Sequence, residues 1–219
     1  MTTVLITGAN RGIGLEMARQ YSQRGDEVIA VCRTSSPQLD GLGVRIIAGI
    51  DVASDSSVGE LAGQLNGMAI DRLVNNAGIL ERNALDTFDA GSIERQFRVN
   101  AIAPLRVTTA LLPNLGRGSG VFIITSRMGS IEDNTSGGSY GYRMSKAAVN
   151  MAGKSLSVDL KEQGVSVFLL HPGWVSTDMT GNTGIDVEQS ASGLIERMDS
   201  LGPGQTGTFW HQEGYELPW

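Results

Sequence analysis

Short apolar runs alternate with longer, helically patterned stretches along the whole chain. Seven runs read as strands: Val4–Thr7, Val28–Arg33, Val44–Ala48, Arg72–Asn75, Val121–Thr125, Val165–Leu170 and Thr206–Trp210. Most are apolar at successive positions, as parallel strands covered on both faces require. Between them, Ile13, Met17 and Tyr21 recur at four-residue steps after Gly12, and Leu105, Thr108, Leu112 and Leu115 form a second such series. An Ala-rich stretch from about Tyr140 to Gln163 predicts a long helix stopped by Gly164. Residues 180–205 are the least regular and read as a loop plus one short helix. Strand–helix–strand repetition implies right-handed crossovers. The expected fold is therefore α/β, a doubly wound and mainly parallel seven-stranded sheet with helices on both faces. No repeat or linker divides the chain, so one domain over 1–219 is expected.

Composition narrows the function classes. The chain carries 29 glycines among 219 residues, well above the usual share of about 7%. They follow no collagen-like period and point to tight turns and close backbone approaches. With 41% hydrophobic and 18% charged residues the chain can bury a core, built mostly from aliphatic side chains because aromatics reach only 5%. A net charge of −6 argues against nucleic acid or an anionic membrane as partner, while leaving room for a local basic pocket. Cys32 is the single cysteine and can make no internal disulfide; no Cys/His cluster has zinc spacing, so no metal is expected. Neither a signal-peptide core nor a membrane-length apolar run is present, which suggests a cytoplasmic protein.

The first strand leads directly into Thr7-Gly8-Ala9-Asn10-Arg11-Gly12-Ile13-Gly14, and a helix follows. Glycines at a strand–helix junction let a backbone approach a pyrophosphate, and the helix N-terminus supplies free N–H groups. The same glycines would also serve a tight turn with a close helix–strand crossing. An acid roughly 20 residues further on would bind the ribose 2′-hydroxyl of NAD. That place holds Cys32, Arg33 and Thr34. Arg33 and Arg11 suit a 2′-phosphate through a bidentate fork, so NADP(H) is preferred and NAD(H) is the alternative. Two ordinary solvated arginines would look the same in sequence.

Tyr142 and Lys146 stand four apart and share one helix face. Tyr21, Tyr140 and Tyr215 have no lysine at that spacing. An ammonium near the phenol should lower its pKa from about 10. Such a tyrosine can protonate a carbonyl oxygen in reduction or take a proton from an alcohol in oxidation. Taken alone, the pair is equally an ordinary surface helix pair.

Together these motifs resemble the short-chain dehydrogenase/reductase family along essentially the whole chain. The ordered matches are Thr7–Gly14, Asn75-Asn76-Ala77-Gly78, Ser126, Tyr142-Arg-Met-Ser-Lys146 and Pro172-Gly173. Ser126-Arg-Met-Gly-Ser-Ile and His171-Pro-Gly-Trp-Val are also similar to its C-factor and sniffer-type carbonyl reductase branch. The resemblance implies a Rossmann-type fold and a catalytic set of Asn100, Ser126, Tyr142 and Lys146. Tyr142 would be the general acid/base, and Lys146 would depress its pKa and bind the nicotinamide ribose. Ser126 would stabilise the substrate oxygen, and Asn100 would hold a water beside the lysine. Without the family, Asn100 reads as a polar side chain inside a helix.

Other implied cofactor contacts are Gly8, Asn10, Arg11, Gly12, Ile13 and Gly14 at the turn, and Arg33, with Asp51 and Val52 at the adenine. Asn76, Ala77 and Gly78 would line the cleft, and Pro172, Gly173, Val175, Thr177 and Met179 would meet the nicotinamide side. Asp51 could instead be a turn or cap acid and Asn76–Gly78 a sheet brace, and Trp174 could wall the substrate pocket or serve packing. Sixteen positions separate Ser126 from Tyr142, long for the family, and Ser130 competes for the serine role. The expected activity is NADPH-dependent reduction of a small-molecule aldehyde or ketone. A cofactor-binding signalling protein of C-factor type is the alternative. The helices near 101–115 and 140–163 suggest a homodimer.

Overall fold

The computed structural model describes all residues, Met1–Trp219. The chain opens on β1 (Thr3–Thr7), an interior strand whose side chains alternate between two cores. Val4 and Ile6 face one and Leu5 the other, the period-2 consequence of a pleated strand. After β1 come α1 (Gly12–Gln23), β2 (Glu27–Val31), a single turn α2 (Pro37–Asp40), β3 (Arg45–Ile47), α3 (Asp55–Gln64) and β4 (Arg72–Asn75). The second half holds α4 (Ala90–Phe97), α5 (Ala103–Ala110), β5 (Gly120–Ile124), α6 (Tyr140–Asp159), β6 (Ser166–His171), α7 (Val187–Ser200) and β7 (Phe209–His211).

All seven strands lie in one sheet in the order β3-β2-β1-β4-β5-β6-β7, and every pairing is parallel. The order reverses between β1 and β4, which opens a crevice at their carboxyl ends. Met17 and Tyr21 of α1 and Leu194 and Met198 of α7 cover one face. Val58 and Leu61 of α3, Val107 of α5, and Val149 and Leu156 of α6 cover the other. No helix is long and apolar enough to cross a membrane.

The departures from expectation have local causes. The segment after β6 contains a full 14-residue helix, α7, with Ala191, Leu194, Ile195 and Met198 buried at helical spacing. The buried face of α5 is Ala103, Pro104, Val107 and Thr108, while Leu105 is exposed. A π-helical turn over Arg98–Ile102 joins α4 to α5 and sets the phase of the apolar stripe. Pro113 then turns Leu112–Asn114 into a tighter single turn. Helix α6 stops at Asp159; Gly164 lies beyond it, at φ 73° in the turn that leads to β6.

Candidate active site

The glycine-rich turn and the segment after β4 are stitched together. Thr7 Oγ1 accepts hydrogen bonds from the N–H groups of Asn76 (3.0 Å) and Ala77 (3.1 Å). Asn76 Nδ2 donates to the carbonyls of Thr7 (3.0 Å) and Gly8 (3.2 Å). Gly8 has φ 67°, and a Cβ there would sit 2.9 Å from Ala77 Cα. Both the left-handed backbone and the close approach demand glycine. The side chain before α1, Arg11, makes no capping bond, so the first N–H groups of the helix have no side-chain acceptor.

A cavity of about 920 Å³ runs along the crevice. At one end it is lined by Gly8, Asn10, Arg11, Gly12, Ile13 and Gly14, with Arg33, Asp51 and Val52 beside them. Asn76, Ala77 and Gly78 form its middle, and Tyr142 and Lys146 its far end. Pro172, Thr177 and Met179 close one side. Four expected residues do not line it: Asn100, Ser126, Gly173 and Val175. Val175 is buried, paired with Ile185 in a short bridge.

These residues fit a dinucleotide. The free helix N-terminus and the side-chain-free turn suit a pyrophosphate. Arg33 is exposed just past β2 and has no ion-pair partner, and no carboxylate replaces it at that strand end. Arg11 reaches across the cavity to Asp178 at 3.7 Å, both side chains largely exposed, a contact of little energetic weight. Asp51 Oδ1 accepts from Ala53 N–H at 2.9 Å, so this acid also shapes its own turn, while Ser54 caps α3.

At the far end, Tyr142 sits in the first turn of α6 and Lys146 one turn later. The Lys146 amine donates to the Ile124 carbonyl at 2.9 Å and lies 5.7 Å from the Tyr142 ring centre. The expected lowering of the tyrosine pKa is not found. Burial pushes the Tyr142 phenol up to about 12, and hydrogen bonding with Ser126 opposes that only in part. Burial also lowers Lys146 to about 8. Desolvation dominates both shifts, and the lysine is engaged with a strand carbonyl rather than with the phenol.

Ser126 follows β5, and its hydroxyl accepts from Met128 N–H at 3.1 Å. Ser130 instead turns its hydroxyl to Asp133 N–H at 3.1 Å, inside the loop. The long Ser126–Tyr142 interval is taken up by that loop. An Arg127–Asp133 ion pair closes it, and Arg143 binds the carbonyls of Gly137 and Gly138.

Asn100 lies in the π-helical turn and is 1% exposed. Its amide bonds both backbone groups of Ile79 and donates to Ser145 Oγ at 3.1 Å. Ile79, Leu80 and Glu81 line the cavity and escaped the sequence reading. Their signal was mere continuity with Gly78. Asp178 and Asn182 also line it from the loop after β6. His171 is held neutral, with its pKa pushed down to about 3 by burial and then by His211. Cys32 is buried, and burial raises its thiol pKa.

The chain matches the profile of the short chain dehydrogenase family over residues 2–188. It is 43% identical over 226 aligned positions to 1-hydroxy-2-glutathionyl-2-methyl-3-butene dehydrogenase of Rhodococcus sp. strain AD45, with 100% of both chains covered. It is 47% identical over 154 residues to C-signal of Myxococcus xanthus, covering 68% of this chain and 93% of that protein. Among solved structures, NADPH-bound carbonyl reductase from chicken fatty liver superposes with a TM-score of 0.91. That match has 30% identity and covers 100% of this chain and 99% of the other.

Proposed function

This chain belongs to the short chain dehydrogenase family of oxidoreductases, and within it we propose an NADPH-dependent carbonyl reductase that converts an aldehyde or ketone to an alcohol. One observation carries the reading: a single cavity joins the glycine-rich turn and Arg33 to Tyr142 and Lys146. When bound, the nicotinamide supplies the hydride. The chain supplies position and the proton. Tyr142, kept protonated by burial, gives its proton to the carbonyl oxygen, and Ser126 hydrogen-bonds the same oxygen as charge develops. Lys146 holds the ribose hydroxyls and, with a pKa of about 8, can return a proton to the phenol near neutral pH. Asn100 stands beside it: a side chain on Gly78 would begin 3.3 Å from Asn100 Oδ1 and 3.8 Å from Lys146 Nζ.

At the other end Gly8, Asn10, Gly12, Ile13 and Gly14 hold the pyrophosphate, and Arg11 and Arg33 the 2′-phosphate. Asp51 and Val52 flank the adenine, and Asn76, Ala77 and Gly78 line the middle of the cleft. Pro172, Thr177 and Met179 form the wall at the carboxamide, all from the loop after β6, to which Gly173 and Val175 also belong without lining the cavity. NADPH bound in the chicken carbonyl reductase supports the cofactor choice. We also propose a homodimer through α5, the π-helical turn before it and α6, where Ile102, Leu105, Met144, Met151 and Val158 leave exposed apolar side chains; a monomer in sedimentation at micromolar concentration overturns it.

The test is parallel titration with NADPH and NADH, followed by an absorbance assay on aldehydes and ketones. The Rhodococcus relative is named for a hydroxylated glutathionyl compound, so a glutathione thioether alcohol belongs in the oxidative direction. Tight NADPH binding with carbonyl turnover is expected. Tight binding without turnover in either direction favours a regulatory protein, the reading to which the identity with C-signal points.

A further inference from the structure

Asn83 and Gln96 lie outside the cavity lining and are 6% and 0% exposed. Asn83 Oδ1 accepts a hydrogen bond from Gly141 N–H at 3.3 Å, and its main-chain carbonyl accepts from Ser139 N–H at 2.8 Å. These are donors at the very start of α6. Ser139, in the capping position, has a left-handed backbone (φ 49°, ψ 44°), and its own hydroxyl caps nothing. A helix normally takes its cap from that position. Here a residue 58 positions upstream supplies it. Tyr142 is the next residue along.

Asn83 is itself held in place. Its Nδ2 donates to Ser92 Oγ at 3.0 Å. Gln96 Nε2 reaches Asn83 Oδ1 (3.4 Å), Ser92 Oγ (3.3 Å) and the Glu81 carbonyl (3.1 Å), while Gln96 Oε1 accepts from Glu81 N–H at 3.1 Å. Every polar atom of the two amides is paired, and such a buried network tolerates little displacement. Gly141 makes the approach feasible: a Cβ there would stand 2.6 Å from Gln96 Nε2 and 3.0 Å from Asn83 Oδ1.

We propose that Asn83, braced by Gln96, is a positioning residue for proton transfer: it caps α6 from outside and sets the Tyr142 phenol beside Ser126. The proposal rests on Tyr142 as the general acid. Without the Asn83 acceptor, the Gly141 N–H is buried and unpaired, and the first helical turn frays. A shift of about 1 Å at a reacting group can cost on the order of 100-fold in rate.

Wild type, Asn83→Ala, Asn83→Asp and Tyr142→Phe are compared by steady-state reduction with NADPH and by hydrogen exchange at the Gly141 and Arg143 amides, the latter donating the first backbone bond of α6, to the Ser139 carbonyl. All assays run well below each melting temperature. Asn83→Ala is expected to lose roughly 10- to 100-fold in kcat, to exchange faster at both amides, and to keep its NADPH affinity. Asn83→Asp still offers Gly141 an acceptor, and a carboxylate suits a helix N-terminus, so it retains both protection and kcat. Should Asn83→Ala fail to fold, Gly141→Ala pushes Asn83 and Gln96 away from α6 and is expected to give the same losses. Fast exchange with wild-type kcat, or equal loss in the Ala and Asp variants, overturns the positioning role. Turnover retained by Tyr142→Phe overturns instead the acid assignment beneath it.

Discussion

The Lys146 amine is aimed by the Ile124 carbonyl, 2.9 Å away at the end of β5, and not by the Tyr142 phenol. The sheet thus fixes the one buried cation of the site, and the helix that carries it only delivers it there. Burial lowers Lys146 to about 8, so its charge is within reach of ordinary buffer pH.

In the cofactor-free protein the Lys146 ammonium should therefore titrate near pH 8, read by NMR of lysine labelled at Cε with Lys146→Met for assignment. The sign for stability follows. The folded pKa lies below the unfolded one, so the ammonium opposes folding at low pH, and that cost fades as pH rises from about 8 towards 10.5. A midpoint near 10.5 would refute the desolvation argument.

Tyr142→Phe removes the proposed acid while keeping the ring in place. Turnover should drop by about 100-fold or more, with NADPH affinity within about threefold of wild type because the ribose and phosphate contacts lie elsewhere. Activity near wild type would show that another group delivers the proton.

Arg33→Asp places a carboxylate where a 2′-phosphate would sit. NADPH affinity should fall about 10- to 100-fold, as expected for a lost hydrogen-bonded charge of about 1.5–3 kcal/mol. NADH should change far less. Equal losses for the two nucleotides, measured by calorimetry, would remove Arg33 from cofactor choice.

His171 adds an acid-side dependence. Its folded pKa of about 3 lies below the usual 6.5. The unfolded chain therefore binds a proton that the native state refuses. Stability should fall as pH drops from about 6.5 towards 3, with a limiting slope of about 1.4 kcal/mol per pH unit from this group. His171→Gln should flatten that slope in denaturant titrations; an unchanged slope would assign the acid sensitivity elsewhere.

The strand positions, the glycine-rich turn and the Tyr142–Lys146 pair were legible in the chain because each follows from local rules. Val4, Leu5 and Ile6 alternate between two cores by pleat geometry alone. Tyr142 and Lys146 meet through helical spacing. What escaped depended on contacts distant in sequence. No local pattern indicates that Asn100 would spend its amide on Ile79, or that the cap of α6 would come from Asn83. Of the expected series Leu105, Thr108, Leu112 and Leu115, only Leu105 is exposed, in the first turn of α5 just after the π-helical turn. The tyrosine pKa likewise depends on the folded surroundings. Spacing places an ammonium near a phenol, whereas burial and the Ile124 carbonyl decide what that nearness does. Short-range sterics and periodicity are written in the order of residues; desolvation and shared polar partners exist only once the chain has folded.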